Sequence, residues 1–218
     1  MTRVAIIGAH GKVGQQILHL LYDAGIESVG IVRNPDHSED IYRLGGEPVL
    51  LDVEHSTASE LAEALAGCDA IVFTAGAGPG SSAERKRTVD YGASVLAQEA
   101  ATIAGIRRFV QVSAINVDAP LADDTEPIWR AYVEAKRDAD ADLRDTELDW
   151  TILRPGTLTS DEATGRISLG DTVAGGSIPR EDVAAVVVAV LPDPRSFGRT
   201  WEFVGGETDI AEAISAAV

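Results

Sequence analysis

The chain has one cysteine and three lysines, and its aromatic residues make up only 5% of it. A lone cysteine cannot form a disulfide within the chain and leaves no basis for a cysteine metal site. Cys68 falls between a helical pattern and the apolar run Ala70-Ile71-Val72-Phe73, where a small core residue is expected. No apolar run approaches the roughly 18 residues of a membrane span. The first residues have strand character, where a signal peptide would begin with a charged segment and a long apolar one. The expected location is therefore the cytoplasm, without a membrane partner. Positive charge is scarce as well, with a net charge of −17. An acidic chain lacks the basic face that phosphate backbones require, which argues against a nucleic-acid partner. No metal-ligating cluster stands out.

What is present is organised around the first stretch. Val4-Ala5-Ile6-Ile7 reads as a buried strand. Gly8, Gly11 and Gly14 follow at a spacing of three, and Val13, Ile17, Leu20 and Leu21 continue at helical spacing. Strand, glycine turn and helix in that order make a phosphate cradle. Gly8 permits the turn, Gly11 lets a pyrophosphate approach, and Gly14 lets the helix lie close to the strand. The anion sits on the helix N-terminus. His10, Lys12 and Val13 complete the turn, and Lys12 can add a cationic contact.

Downstream, strand and helix patterns alternate with short loops. Apolar strands are expected at 28–32, 48–52, 69–74, 108–113, 149–153 and 201–204. Helices are expected near 38–44, after Thr57 with Glu60 in its first turn, at 84–104 ended by Gly105, at 128–144, at 180–191 and from 209. This alternation with continuous apolar strands is an α/β fold with a parallel sheet covered on both faces. No linker divides the chain, so residues 1–218 are expected to form a single domain. Residues 155–180 are read as an irregular, substrate-facing segment within it.

Several residues fall at strand ends, where open sheets bind ligands. Arg33 follows the second strand, with no carboxylate before Asp36. An arginine at this place accommodates the 2′-phosphate of NADP, whereas NAD calls for a carboxylate. Asp52 and Val53 can hold an adenine amino group and face. Thr74, Ala75 and Gly76 are small enough to let a ligand lie on the backbone. The loop 75–82 that they open is rich in glycine. Tyr132 and Lys136 lie four apart on one helix and share a face. An ammonium there lowers a phenol's pKa and readies it for proton transfer.

Together, Gly8 to Gly14, Arg33, Asp52-Val53, Thr74-Ala75-Gly76, Tyr132 to Lys136 and Arg154-Pro155-Gly156 resemble the short-chain dehydrogenase/reductase superfamily. The nearer likeness is to its atypical NAD(P)H-binding branch, with NmrA-like, biliverdin reductase B-like and epimerase-type proteins. The resemblance implies a Rossmann fold of strand order 3-2-1-4-5-6-7, with a reduced C-terminal substrate region. It implies Tyr132 as proton donor, Lys136 on the nicotinamide ribose, and Pro155 and Gly156 near the nicotinamide. One departure concerns the serine after strand five. The chain reads Ser113-Ala114-Ile115-Asn116, which leaves Ser113 or Asn116 to polarise a substrate oxygen. The expectation is an NADP-dependent oxidoreductase acting on a small carbonyl or alcohol, as monomer or homodimer. A redox-sensing NADP binder and an epimerase- or dehydratase-like enzyme are the alternatives.

Overall fold

A computed structural model describes every residue except Pro79, so that part of the loop 75–82 lies outside the described residues. The elements in chain order are β1 (Arg3–Ile7), α1 (Lys12–Asp23), β2 (Glu27–Val32), α2 (Ser38–Arg43), β3 (Glu47–Leu50), α3 (Ala58–Ala64) and β4 (Ala70–Phe73). A short turn, α4 (Ala83–Arg85), leads through a π-helical segment, Lys86–Gly92, into α5 (Ala93–Ala104). Then come β5 (Arg108–Val112), α6 (Pro127–Arg144), β6 (Asp149–Pro155), β7 (Thr157–Thr159), β8 (Arg166–Gly170) and β9 (Ser177–Pro179). The chain closes with α7 (Arg180–Val190), β10 (Arg199–Gly205), β11 (Thr208–Asp209) and α8 (Ile210–Ala217).

Among the described residues, nine strands form one sheet in the order β11-β8-β10-β6-β5-β4-β1-β2-β3. From β3 to β10 the neighbours are parallel; β8 and β11 add antiparallel pairs at the far edge. The expected order 3-2-1-4-5-6-7 is present, with β10 as the seventh strand. Successive strand residues point to opposite faces, and both faces are packed. Val4 and Ile6 join a core with Ile17, Leu18 and Leu21 of α1 and Val183 and Val187 of α7. Ala5 and Ile7 join a second core with Leu61 of α3 and Ala97 of α5.

Local signals end the elements where the sequence places them. Thr57 accepts from the Glu60 N–H while the Glu60 carboxylate accepts from the Thr57 N–H, a reciprocal cap on α3. Gly105 ends α5 in the left-handed region, at φ 71°. Two expectations need correction. The helix read as continuous over 84–104 has wide π-type turns over its first third. The segment 155–180 is less irregular than read: it contains β7, β8 and β9, and β8 pairs with β10 in the main sheet.

Parallel strands bring the ends of β1, β2, β3, β4, β5 and β6 to one edge. The chain leaves β1 toward β2 on one side and β4 lies on the other, so the order reverses between them, and a crevice opens there.

Candidate functional site

The crevice starts at the glycine turn. Gly8 has φ +93°, and a Cβ there would lie 2.6 Å from the Ala75 amide nitrogen. The ends of β1 and β4 thus touch through bare backbone. At Gly14 a Cβ would lie 2.4 Å from the Gly8 carbonyl oxygen. At Gly11 it would meet only that same oxygen, at 3.0 Å. Gly11 caps α1 with no side-chain acceptor, and the first turn of α1 holds no acid. The amides of Lys12, Val13 and Gly14 therefore lack intrahelical partners and form an anion-binding terminus.

A cleft of about 330 Å³ lies over this turn. Gly8, His10, Gly11, Arg33, Asp52, Val53, Thr74, Ala75 and Gly76 all line it. Lys12 is exposed beside it, and Val13 and Gly14 are buried behind it. A larger hollow of about 490 Å³ between β8 and α8 contains none of the expected residues, and Asp171 is its one charged lining residue. The smaller cleft has the converging polar groups that a ligand site requires.

At one end of the cleft stands a charge cluster that spacing alone did not reveal. Arg85 donates to Glu54 Oε2 at 2.8 Å, Arg33 approaches the same oxygen at 3.6 Å, and the Thr88 hydroxyl donates to Oε1. The Arg85 hydrogen bond, with help from Thr88, holds the Glu54 carboxyl below the usual range despite its burial. Burial also opposes ionisation of Asp52, but hydrogen bonds from His55 and the Glu54 N–H keep its pKa low. His10 stacks on His37 with ring centres 3.5 Å apart and pairs with Asp40 at 3.1 Å.

The other end is reached through Asp90 in the π-helical segment. Its Oδ2 accepts from the Ala77 N–H at 3.0 Å, and its Oδ1 lies 3.6 Å from Lys136 Nζ. Both side chains are buried. A Cβ on Gly76 would come within 2.9 Å of Asp90 Oδ1, so a side chain there would displace the carboxylate. Lys136 also donates to the Val112 carbonyl at 3.3 Å, at the end of β5. Lys86 donates to the Gly78 carbonyl, and its ammonium lies 5.1 Å from the Tyr132 ring centre. Tyr132 and Lys136 thus sit together beside the cleft wall. The expected lowering of the phenol pKa is not found. Burial pushes it up, Lys136 pulls it down, and Asp90 and Asp140 push it up again. Burial is the largest of these effects, so the pull of Lys136 on the phenol does not prevail.

Ser113 differs most from expectation. Its hydroxyl donates to Asp140 Oδ2 at 2.9 Å, inside a buried network. Asp140 also accepts from Gln111 at 2.7 Å and Arg154 at 2.9 Å, yet burial still raises its carboxyl pKa. The serine proton is committed there rather than presented at the sheet edge. Asn116, three residues on, is exposed and has φ 60°, rare outside glycine but most tolerated by asparagine. Its N–H donates to the buried Glu202 carboxylate at 2.9 Å, which holds that conformation. Pro155 accepts from the Ile115 N–H at 3.0 Å. Gly156 packs under Gly176, whose carbonyl oxygen would lie 2.4 Å from a Cβ. Neither lines the 330 Å³ cleft.

A mostly parallel sheet with a glycine turn at its switch point defines a Rossmann-type nucleotide-binding protein. More narrowly, the chain belongs to the NAD(P)H-binding family, whose model matches residues 8–194, within the atypical short-chain dehydrogenase/reductase group. It is 37% identical over 213 residues to a Bacillus subtilis protein named as an uncharacterized sugar epimerase, YhfK, covering 97% of this chain and 98% of the relative. Among solved structures, a Bacillus halodurans protein provisionally named an NAD-dependent epimerase/dehydratase superposes with a TM-score of 0.92 at 33% identity, covering 99% of this chain and 100% of that one. The Escherichia coli anaerobilin reductase ChuY superposes with a TM-score of 0.77 at 25% identity, over 95% of this chain and 99% of that one. The family is one of NAD(P)H-binding oxidoreductases. Among the described residues no helix is long and apolar enough to cross a membrane.

Proposed function

We propose that this protein is an NADP-dependent oxidoreductase acting on a small carbonyl or alcohol substrate. The observation that carries the reading is Asp90, whose two oxygens tie the cleft wall at Ala77 to Lys136, the neighbour of Tyr132. One carboxylate thereby joins the nucleotide cleft to a proton-transfer pair. The cleft fits a dinucleotide: Gly8 and Gly14 have no room for a Cβ against neighbouring backbone, and the first amides of α1 are free.

In this reading the amides of Lys12, Val13 and Gly14 hold the pyrophosphate, with Gly8 and Gly11 keeping the approach bare. Arg33 takes the 2′-phosphate, with His10 beside it. Asp52 and Val53 receive the adenine, and Thr74, Ala75 and Gly76 lie along the cofactor. Pro155 and Gly156 flank the nicotinamide, and Lys136 orients its ribose. When bound, NADPH supplies a hydride. Tyr132 supplies the proton to the substrate oxygen, and its raised pKa keeps it in the acid form. The Ser113 proton is engaged by Asp140, which leaves Asn116 to polarise that oxygen. The chain works as one domain, with residues 155–180 on its substrate side.

The engagement of Ser113 also favours a second reading, a binder that reports NADP occupancy without turnover. Titration with NADPH and NADH, followed by a scan of carbonyl, quinone and flavin acceptors, separates the two. The enzyme reading expects acceptor-dependent NADPH oxidation, which Tyr132→Phe abolishes while NADPH binding persists. Selective binding with no oxidation supports the sensor. Product formed without net NADPH consumption supports epimerase or dehydratase chemistry.

A further inference from the structure

We propose that Glu54 sets the discrimination between NADP and NAD by competing with the cofactor's 2′-phosphate for Arg33 and Arg85. This rests on the NADP reading above and adds Arg85 as a second phosphate ligand. Glu54 comes directly after Asp52-Val53 at the end of β3, and it lines the same cleft as both arginines. Its side chain is 13% exposed, against 56% for Arg33 and 37% for Arg85. The carboxylate therefore lies inside the cluster, with the guanidiniums toward its mouth.

Carboxylate and phosphate make the same demand on guanidinium, a charge-assisted N–H donor. Glu54 meets that demand from within: Oε2 faces both arginines and Oε1 takes Thr88. With Asp52 nearby, two negative charges balance the two positive ones, so the cluster offers no surplus charge to an incoming phosphate. A 2′-phosphate must draw the arginines away from Glu54. A free 2′-hydroxyl makes no such claim, so NAD(H) leaves the pairs intact. Glu54 thereby lowers affinity for the phosphorylated cofactor selectively. A purely structural bridge would behave otherwise, because cutting it would loosen the cleft and weaken both cofactors alike.

The test is equilibrium titration of Glu54→Gln with NADPH, NADH, adenosine 2′,5′-bisphosphate and ADP. Glutamine keeps the shape and one acceptor and removes the charge. The expected result is about tenfold tighter binding of NADPH and the bisphosphate, with NADH and ADP within about twofold of wild type. Arg85→Gln should weaken NADPH by a similar factor and spare NADH. If Glu54→Gln folds poorly, Glu54→Asp withdraws the carboxylate by one methylene and should shift the ratio the same way. An unchanged NADPH-to-NADH ratio, or parallel weakening of both, overturns the competition. If Arg33→Ala leaves the wild-type ratio unaltered, the NADP reading itself fails, and the two failures remain distinct.

Discussion

The glycine turn makes opposite demands on folding and binding, and two substitutions should separate them. At Gly14 an added Cβ would lie 2.4 Å from the Gly8 oxygen, 2.8 Å from the Ala9 oxygen and 2.9 Å from the Ala9 Cα. All three are backbone atoms, so relief requires α1 to move off the turn. Overpacking of this kind costs about 3 kcal/mol, at the upper end of its usual range. Alanine returns about 1 kcal/mol of helix propensity. The net loss of about 2 kcal/mol should lower Tm by about 4–8 °C for a chain of this size. Gly11→Ala is the counterpart. Its φ of −66° suits any residue, and the one close atom lies 3.0 Å away. Folding stability should change by less than about 1 kcal/mol. The new methyl nevertheless stands in the cleft, where it should weaken NADPH at least about tenfold. Thermal unfolding without cofactor and NADPH titration measure the two effects. A Tm for Gly14→Ala within about 1 °C of wild type would refute the packing argument. Wild-type NADPH affinity in Gly11→Ala would refute the placement of the pyrophosphate.

Three further outcomes are expected. The rate of carbonyl reduction at saturating NADPH should stay level from neutral pH to about 10 and then fall, since burial holds the Tyr132 phenol above its ordinary value; a fall centred between pH 7 and 8 would mean that Lys136 prevails. Asp90→Asn should cost about 3 kcal/mol in urea unfolding, because it leaves the buried Lys136 ammonium unpaired. It should weaken NADPH too, and unaltered stability would sink the ion-pair assignment. Arg108→Met should cost about 3 kcal/mol or more while native protein keeps its NADPH affinity. Arg108 is buried and bonds to the Val190 and Leu191 carbonyls at the end of α7, to the Asp149 carbonyl, and to Thr151 and Ser196. Denaturation midpoints equal to wild type would contradict that role.

The parts of the site legible in the sequence are those fixed by local geometry. In the site this covers the Gly8-Gly11-Gly14 turn, and in the rest of the fold the Thr57–Glu60 cap and the Gly105 stop, each set by residues close in sequence. Strand ends were legible for a related reason, since parallel strands gather their loops at one edge. Glu54, Arg85, Asp140 and Glu202 were not. Each is charged, each sits where a solvated side chain is the ordinary occupant, and each is held by side-chain partners distant in sequence. Glu202 reaches Asn116 across 86 residues, a distance no periodicity spans. The engagement of Ser113 was hidden for the same reason, because its partner Asp140 lies on α6, 27 residues away.

Asp90 and Lys86 are a different case, because a signal was present. Lys86, Asp90, Ala93, Ala97 and Ala100 recur at steps of three and four, with Val89 beside Asp90 on the same face, the spacing of a buried helical stripe. All six are buried. Two opposite charges on an otherwise apolar stripe have no reason to be there unless something inside receives them. Lys86 meets the Gly78 carbonyl, and Asp90 meets Ala77 and Lys136. Both charges therefore brace the segment after β4, which forms one wall of the cleft, and Asp90 passes the constraint on to α6. The π-type turns carry this pair, a common association of such turns with functional sites. A Rossmann sheet with a glycine turn accounts for binding a dinucleotide and nothing more. What makes oxidoreductase chemistry the better reading of this chain is that its buried charges tie the wall of that cleft to a tyrosine still holding its proton.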